Sequence, residues 1–291
     1  MENTFKNYKH IRKYKITNSL QMKIVLWIGN EPNQKAFANK LHEVIPISAI
    51  VTETRKSKRK LTLSLIFEKI IEKVFLSSIG KAWWKMLKNY DDKYPQYPAT
   101  EILDVENINS ELAYRFTAKH NPDLILVSGT RLVKEKMFNT KPSIGILNLH
   151  TGLSPYVKGG PNCTNWCIAN KDFHLIGNTI MWIDKGIDTG NILTTEFTPL
   201  NGNENLFEIH MKVMEHAHNL YLNAVKFLNS GNYQSTKQSD ITDGKTYYTK
   251  QWTLKQKINL NRNISHLKKE FDNGNVIAKR KDIITLNISQ S

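Results

Sequence analysis

Apolar and polar residues form alternating blocks along the chain, and these blocks predict strands and helices in turn. Predominantly apolar segments, which are typical of strands buried on both faces, lie at 23–29, 47–51, 124–127, 144–149 and 178–184. Helical spacing of apolar residues is found at 33–44, 105–116 and 132–138. Strands that alternate with helices predict an α/β protein with a mostly parallel sheet and helices on both of its faces.

A long amphipathic helix is predicted at 203–229, because apolar residues recur there at helical spacing. Asn203 is its predicted N-cap, and Gly231 is predicted to end it. Three histidines lie in this helix, at 210, 216 and 218. They lack the H-E-x-x-H spacing of a zinc site, so we expect them at the surface or as capping residues.

The formal net charge of +15 is concentrated in three peripheral segments. Residues 1–21 carry +4, residues 53–93 carry +6 and residues 245–281 carry +8, so the rest of the chain is slightly acidic. Because the middle of the chain is not basic, a nucleic-acid partner is not expected there.

The same distribution predicts three parts of the chain. They are a basic N-terminal arm at 1–21, a central domain at 22–231 and a C-terminal extension at 232–291. A basic helical insertion at about 55–93, which contains Trp83 and Trp84, interrupts the central domain. We expect its apolar face to pack on the domain, while peripheral contact with an anionic membrane and a homodimer interface stay open.

Several functional classes are excluded by what the sequence lacks. No apolar run reaches the roughly 18 residues that span a bilayer, and the N-terminus lacks a signal peptide's apolar centre, so a cytoplasmic protein is expected. Cys163 and Cys167 have no second cysteine pair, so no metal is expected. The turn at 29–33 contains a single glycine and Glu31, which argues against a bound dinucleotide or nucleotide triphosphate.

Candidate chemistry is concentrated between residues 145 and 190. Asn148 and His150 are two positions apart on a predicted strand, so they project to the same face, and Asp188 follows the next apolar strand. If Asp188 meets the imidazole, its charge raises the pKa of His150, and an amide beside an imidazolium stabilises an oxyanion. No nucleophile elbow is present, so acyl transfer would proceed by direct attack of the acceptor. The alternative is a structural role at the strand end.

Two motifs carry a resemblance to a known family. The segment NLHTGLSPYVKGG at 148–160 and the segment IDKGIDTG at 183–190 resemble the folate-dependent formyltransferases, with their N-x-H strand end, Leu/Pro-containing loop and D-x-G turn. The resemblance extends from about residue 22 to about residue 231. It implies a Rossmann-like formyltransferase fold, a catalytic domain at 22–231 and the use of N10-formyltetrahydrofolate.

The resemblance also implies roles for individual residues. Asn148 and His150 would hold the formyl oxygen, while Asp188 would keep His150 charged and assist proton transfer from the attacking amine. The folate pocket would be built largely from backbone at two turns, with these residues as its contacts: Gly129, Arg131, Leu132, Val133, Ile183, Asp184 and Gly186.

The identity of the amine is less constrained. Glu31 and Pro32 stand where enzymes that formylate glycinamide ribonucleotide have a glycine-rich turn, and the residues after Gly231 do not read as the β-barrel of enzymes that formylate methionyl-tRNA. The loop at 154–160 looks more like the sugar N-formyltransferases, which act on nucleotide-linked deoxyaminosugars in polysaccharide biosynthesis. Tyr156 and Lys158 are then candidate acceptor contacts, with packing of the loop as their alternative role. The other two acceptors, and a non-catalytic membrane- or partner-binding relative, remain as alternatives.

Overall fold

The computed structural model describes residues 22–55, 70–72 and 74–288. The predicted arm at 1–21 and the part of the insertion at 56–69 lie outside these residues. The centre of the fold is a seven-stranded sheet with the order β3-β2-β1-β4-β5-β7-β8. Its strands are β1 (Ile24–Gly29), β2 (Ala49–Glu53), β3 (Glu101–Val105), β4 (Leu124–Ser128), β5 (Gly145–His150), β7 (Gly177–Trp182) and β8 (Ile192–Phe197).

The sheet is mostly parallel, which confirms the prediction. Neighbouring strands from β3 to β5 are parallel, while β7 is antiparallel to β5 and β8 is antiparallel to β7. Every residue of β1 is buried, and its side chains alternate between two cores. Ile24 and Leu26 enter one core, whereas Val25 and Trp27 enter the other. A strand that buries both faces needs a continuous apolar run, which is the pattern seen in the sequence.

Helices cover both faces of this sheet. They are α1 (Pro32–Val44), α2 (Ser77–Lys93), α3 (Glu111–Lys119), α4 (Glu135–Phe138), α5 (Cys163–Asn170), α6 (Leu206–Asn229), α7 (Leu254–Asn263), α8 (Leu267–Asp272) and α9 (Asn275–Arg280). Helices α1 and α6 contribute to the first core, and α3 and α4 contribute to the second. Helix α2, the described end of the basic insertion, buries Met86 and Tyr90, while Trp84 is 63% exposed.

The predicted helix at 105–116 begins later than the apolar spacing suggests. Val105 is the last residue of strand β3, and the helix α3 starts only at Glu111. Ser110 caps it, because its side-chain oxygen accepts a hydrogen bond from the Ala113 N–H at 3.2 Å. Strand β3 is an edge strand with exposed residues, so the sequence lacks the apolar run that predicted its neighbours.

The long helix α6 also differs from the prediction in two respects. Its N-cap is Asn205 rather than Asn203, and Asn205 forms a capping box with Glu208. Two of its histidines are buried rather than exposed: His210 is 3% exposed and His218 is fully buried. Burial lowers the pKa of both imidazoles, so they act as neutral core residues.

The C-terminal extension packs against the central domain. Its strand β9 (Lys245–Tyr247) pairs in parallel with β6 (Val157–Gly159), which lies in the loop after β5. Helix α7 packs on α5, where the Asn263 side chain donates to the Ala169 carbonyl at 2.8 Å. Within the described residues, no helix combines the length and the apolar character needed to cross a bilayer.

Candidate active site

Strand β5 presents Asn148 and His150 on one face of the sheet. Leu147 and Leu149 point into the first core, so the alternate residues Asn148 and His150 project from the opposite face. Asn148 is partly exposed, whereas His150 is 8% exposed. The two-residue spacing therefore brings both side chains to the same side, as the strand period requires.

Asp188 reaches this face from the loop at 183–190, which joins the antiparallel strands β7 and β8. One carboxylate oxygen lies 3.4 Å from His150 Nδ1 and accepts the Gly159 N–H at 3.0 Å. The other oxygen lies 3.4 Å from Asn148 Nδ2. Asp188 has a φ of 51°, a left-handed conformation that is uncommon outside glycine. The three side chains singled out in the sequence thus converge at one point.

The imidazole of His150 has an acceptor on each side. Nδ1 faces the Asp188 carboxylate, and Nε2 lies 3.2 Å from the Val157 carbonyl oxygen and 3.5 Å from Cys163 Sγ. Burial alone would lower the pKa of His150, but the negative charge of Asp188, with contributions from Cys163 and the Val157 carbonyl, raises it to about 10. The ring is therefore an imidazolium at neutral pH. Gly152 leaves room for it, since a Cβ there would lie 2.4 Å from Nε2.

This charged histidine predicts a pH-dependent contribution to stability. Because the pKa of His150 rises from an ordinary 6.5 to about 10, its stabilising contribution is complete below about pH 6.5 and is lost as the pH approaches 10. We expect the difference in unfolding free energy between the wild type and His150→Gln to shrink across this window. Urea denaturation at several pH values measures the difference, and a constant gap would contradict the ion pair.

Asn148 and Asp188 lie at a cleft with a volume of about 310 Å³. Its other lining residues come from β4 and the turn after it, from residues 159–160, from the end of β7 and the following loop, and from residues 247–249. They are Val127, Thr130, Arg131, Leu132, Val133, Gly159, Gly160, Met181, Trp182, Ile183, Asp184, Gly186, Ile187, Thr189, Gly190, Tyr247, Tyr248 and Thr249. Six of the seven predicted folate contacts line the cleft, and Gly129 does not. His150 is not among the lining residues, and it contacts Asp188, which is.

A buried carboxylate that the sequence analysis missed holds the turn after β4. Glu53, at the end of β2, accepts the Arg131 N–H at 2.8 Å and the Ile108 N–H at 2.9 Å. It also pairs with the guanidinium groups of Arg131 at 3.1 Å and Arg55 at 2.9 Å. Arg131 therefore lines the cleft, but its charge is directed to Glu53. Gly129 does not line the cleft but contributes to the same turn, because its carbonyl accepts a hydrogen bond from the Arg55 guanidinium at 2.8 Å.

The two candidate acceptor contacts lie outside the main cleft. The hydroxyl of Tyr156 accepts the Ile284 N–H at 2.8 Å, so this ring packs against the C-terminal extension. Lys158 is 9% exposed, and its ammonium donates to the Asp243 carbonyl at 3.2 Å. Lys158 lines a second cavity of about 320 Å³, together with Lys237, and this cavity meets the main cleft at Thr189.

The C-terminal extension contributes residues that no sequence motif indicated. Tyr247, Tyr248 and Thr249 close one side of the cleft. Tyr247 is held by stacking on Trp166, with ring centroids 4.4 Å apart. Gly159 has a φ of 86°, and a Cβ there would lie 2.0 Å from the Tyr247 carbonyl oxygen, so this close approach requires glycine.

The cleft suits a flat, partly polar ring. In the described ranges, no three His, Cys, Asp or Glu side chains are placed to hold a metal. The cleft joins apolar walls, such as Val127 and Met181, to the polar pair of Asn148 and Asp188, and its volume falls at the small end of ligand sites. Not all of the backbone is free to bind, because the Gly186 N–H donates to Asp184 at 2.9 Å and the Arg131 N–H donates to Glu53. In size and composition, the residues present fit a pterin ring.

Comparison with known proteins assigns the class. The model of the formyl transferase family matches residues 1–225, and the chain therefore belongs to this family. A methionyl-tRNA formyltransferase from Clostridium botulinum is 29% identical over 232 residues, which cover 79% of this chain and 65% of that protein. The chain thus spans slightly less than two thirds of that relative.

Solved structures share the fold at low sequence identity. A sugar N-formyltransferase from a Shewanella species has a TM-score of 0.54 and 18% identity, with 83% of this chain and 87% of that chain covered. The sugar 3N-formyl transferase WlaRD, solved in the presence of dTDP and 5-N-formyl-THF, has a TM-score of 0.52 and 13% identity, with coverages of 85% and 80%. These likenesses show that the fold is shared.

Proposed function

We propose that this protein transfers the formyl group of N10-formyltetrahydrofolate to the amino group of a nucleotide-linked deoxyaminosugar. The observation that carries the formyl transfer is the convergence of Asp188 on both Asn148 and His150, at 3.4 Å from each, beside the cleft. Membership of the formyl transferase family supports the same reaction. The structural neighbour WlaRD was solved in the presence of a formylated folate, which supports a folate as the formyl donor.

The three side chains have distinct roles in this proposal. When bound, the folate supplies the formyl group. Asn148 Nδ2 donates a hydrogen bond to the formyl oxygen, where negative charge develops as the amine attacks. Both nitrogens of His150 are engaged by Asp188 and Val157, so in this arrangement its positive charge, rather than a hydrogen bond, acts on that oxygen. Asp188 lines the cleft and accepts the proton that the amine releases. This proton would pass to N10 as the bond between N10 and the formyl carbon breaks, so that the products are the formylated amine and tetrahydrofolate.

The choice of a nucleotide-linked acceptor rests on the second cavity. Two lysines, Lys158 and Lys237, and one acidic residue, Asp243, line it, so its formal charge is positive, and cations are what phosphate groups require. The cavity meets the main cleft at Thr189, next to Asp188, so an anionic acceptor bound there can present an amine to the site. The main cleft does not offer this, because Arg131 is the single basic residue among its described lining residues and is paired with Glu53.

A panel of amines tests the proposal directly. The purified protein is incubated with N10-formyltetrahydrofolate and, separately, with dTDP- and UDP-linked dideoxyaminosugars, glycinamide ribonucleotide and methionyl-tRNA. We expect the mass gain of one formyl group on a nucleotide sugar, and none with the Asp188→Asn protein. Formylation of methionyl-tRNA or of the ribonucleotide alone would overturn the sugar assignment. Folate binding without transfer to any amine would favour a non-catalytic relative.

A further inference from the structure

Gln238 bonds the loop that carries Asp188, although it lies fifty residues further along the chain. Its side-chain amide nitrogen donates to the Asp188 carbonyl oxygen at 2.7 Å and to the Gly190 carbonyl oxygen at 2.8 Å. Gln238 is 6% exposed, so these hydrogen bonds form away from bulk water. It belongs to the C-terminal extension, outside the segment that matches the family.

The loop needs such support because its backbone is held in an uncommon conformation. Asp188 has a φ of 51°, a left-handed conformation that is less stable than the right-handed one for an L-residue, although aspartate adopts it more often than most. In this conformation the carboxylate points back to His150 and Asn148. The two carbonyls that face Gln238 would otherwise lack a donor at a nearly buried position, and an unpaired buried carbonyl is unfavourable. One amide group therefore satisfies both carbonyls and fixes the turn.

We infer that Gln238 is a positioning residue for the proposed reaction: it clamps the backbone at 188–190 and so holds the Asp188 carboxylate against His150. The inference rests on the proposed function for its catalytic meaning. The segment around Gln238 is independently docked, since Thr236 exchanges two backbone hydrogen bonds with Ile192. Removing the Gln238 amide therefore frees the turn without detaching the segment.

The chain offers a matched control in Gln234. This glutamine lies in the same segment, and its side-chain amide donates to the Leu193 carbonyl at 2.9 Å, on strand β8 and not on the catalytic loop. Methionine has the length and flexibility of glutamine but no donor. Gln238→Met and Gln234→Met thus each remove a side-chain amide bonded to a backbone carbonyl, and only the first affects Asp188.

The test is a nuclear magnetic resonance titration of His150, made without substrate on the full chain labelled with carbon-13 at histidine Cε1. The chain has nine histidines, and the signal missing from His150→Gln assigns the one of interest. The groups that face this ring are Asp188, Cys163 and the Val157 carbonyl. Because Asp188 favours the imidazolium, a displaced carboxylate lowers the pKa of His150, by about one unit or more in Gln238→Met. We expect no change in Gln234→Met.

Turnover provides the second readout. With N10-formyltetrahydrofolate and the amine found by the panel, kcat should fall about 10- to 100-fold in Gln238→Met and stay at the wild-type level in Gln234→Met. Gln238→Asn, whose amide is one methylene shorter, gives a smaller effect and serves if the methionine variant does not fold. An unchanged His150 titration in Gln238→Met, or equal shifts in both methionine variants, would overturn the inference. Since the titration needs no acceptor, it decides the role of Gln238 even if the panel refutes the proposed function.

Discussion

Asp188→Asn should reduce kcat by roughly 10²–10⁴, the range that positioned acid–base groups contribute. The substitution keeps the shape of the side chain but removes the charge that lies 3.4 Å from His150 Nδ1. His150 then loses the interaction that keeps it an imidazolium, and the attacking amine loses its proton acceptor. Single-turnover kinetics measure the change, with N10-formyltetrahydrofolate and the acceptor amine that the panel identifies.

The matched control for Asp188→Asn is Asp91→Asn, which makes the same chemical change at an exposed ion pair. Asp91 lies on helix α2 and pairs with Lys35 on helix α1. We expect this variant to keep wild-type turnover, because surface pairs of this kind contribute little. Asp188→Asn should unfold at a lower temperature than Asp91→Asn, because it also loses the ion pair with His150, so turnover is compared at a temperature at which both proteins are folded. If Asp188→Asn retained more than about a tenth of the wild-type kcat, Asp188 would not be the proton acceptor.

Asn148→Leu should lower kcat by about 10²–10³ while leaving the fold intact, because one oxyanion donor is worth this much. Of the two candidate oxyanion groups, Asn148 lines the cleft, whereas both nitrogens of His150 already have acceptors. Leucine has a similar volume and lacks the amide. The effect should fall on kcat more than on KM, since the hydrogen bond strengthens as charge develops on the formyl oxygen.

Asn39→Leu is the comparison for Asn148→Leu. Asn39 lies on helix α1, remote from the cleft, and its amide donates to the Gln96 carbonyl at 2.8 Å. This variant should lose some stability but keep kcat. A large rise in KM with an unchanged kcat in Asn148→Leu would instead assign Asn148 to ground-state binding, and it would contradict the proposed oxyanion role.

Strands made of apolar runs could be predicted from the sequence. The exposed strand β3 and the strand β8, which buries the polar residues Thr194 and Thr195, could not. Strand β1 is a continuous apolar run because both of its faces are covered, and a run of this length has few other interpretations. Strand β3 lies at the edge, where its side chains meet water and its composition differs little from that of a loop. The start of α3 was therefore placed too early, at Val105 rather than Glu111.

The site was predictable to the extent that it depends on local spacing. Asn148 and His150 share a face because of the strand period, whereas their meeting with Asp188 could be expected only from the family resemblance. Partners of charged side chains were not predictable: Arg131 is turned to Glu53, and Lys158 to the Asp243 carbonyl. Such choices depend on which acceptors the fold places nearby, and no periodicity in the chain encodes them.

The extension contributes through equally non-local contacts. Gln238 and Tyr247 lie in a polar stretch without a motif. Tyr247 reaches the cleft because β9 pairs with β6, whereas Gln238 reaches the loop at 188–190 because Thr236 pairs with Ile192. The sequence therefore predicted the extension as a separate part, while its contacts with the loops at 157–159 and 188–190 emerge only from the folded chain.

The pairing of β6 with β9 has a consequence for the order of assembly during synthesis. Its partners, such as Gly159 and Tyr247, are separated by most of the second half of the chain, and contacts of such long range are slow to form. The seven-stranded sheet can be completed as soon as β8 has left the ribosome, because its strands all precede residue 198. The loops around the cleft cannot close until residues 238–249 have also emerged and docked. A nascent chain can thus complete its sheet, although not the core that α6 covers, before the loops around the cleft are able to close.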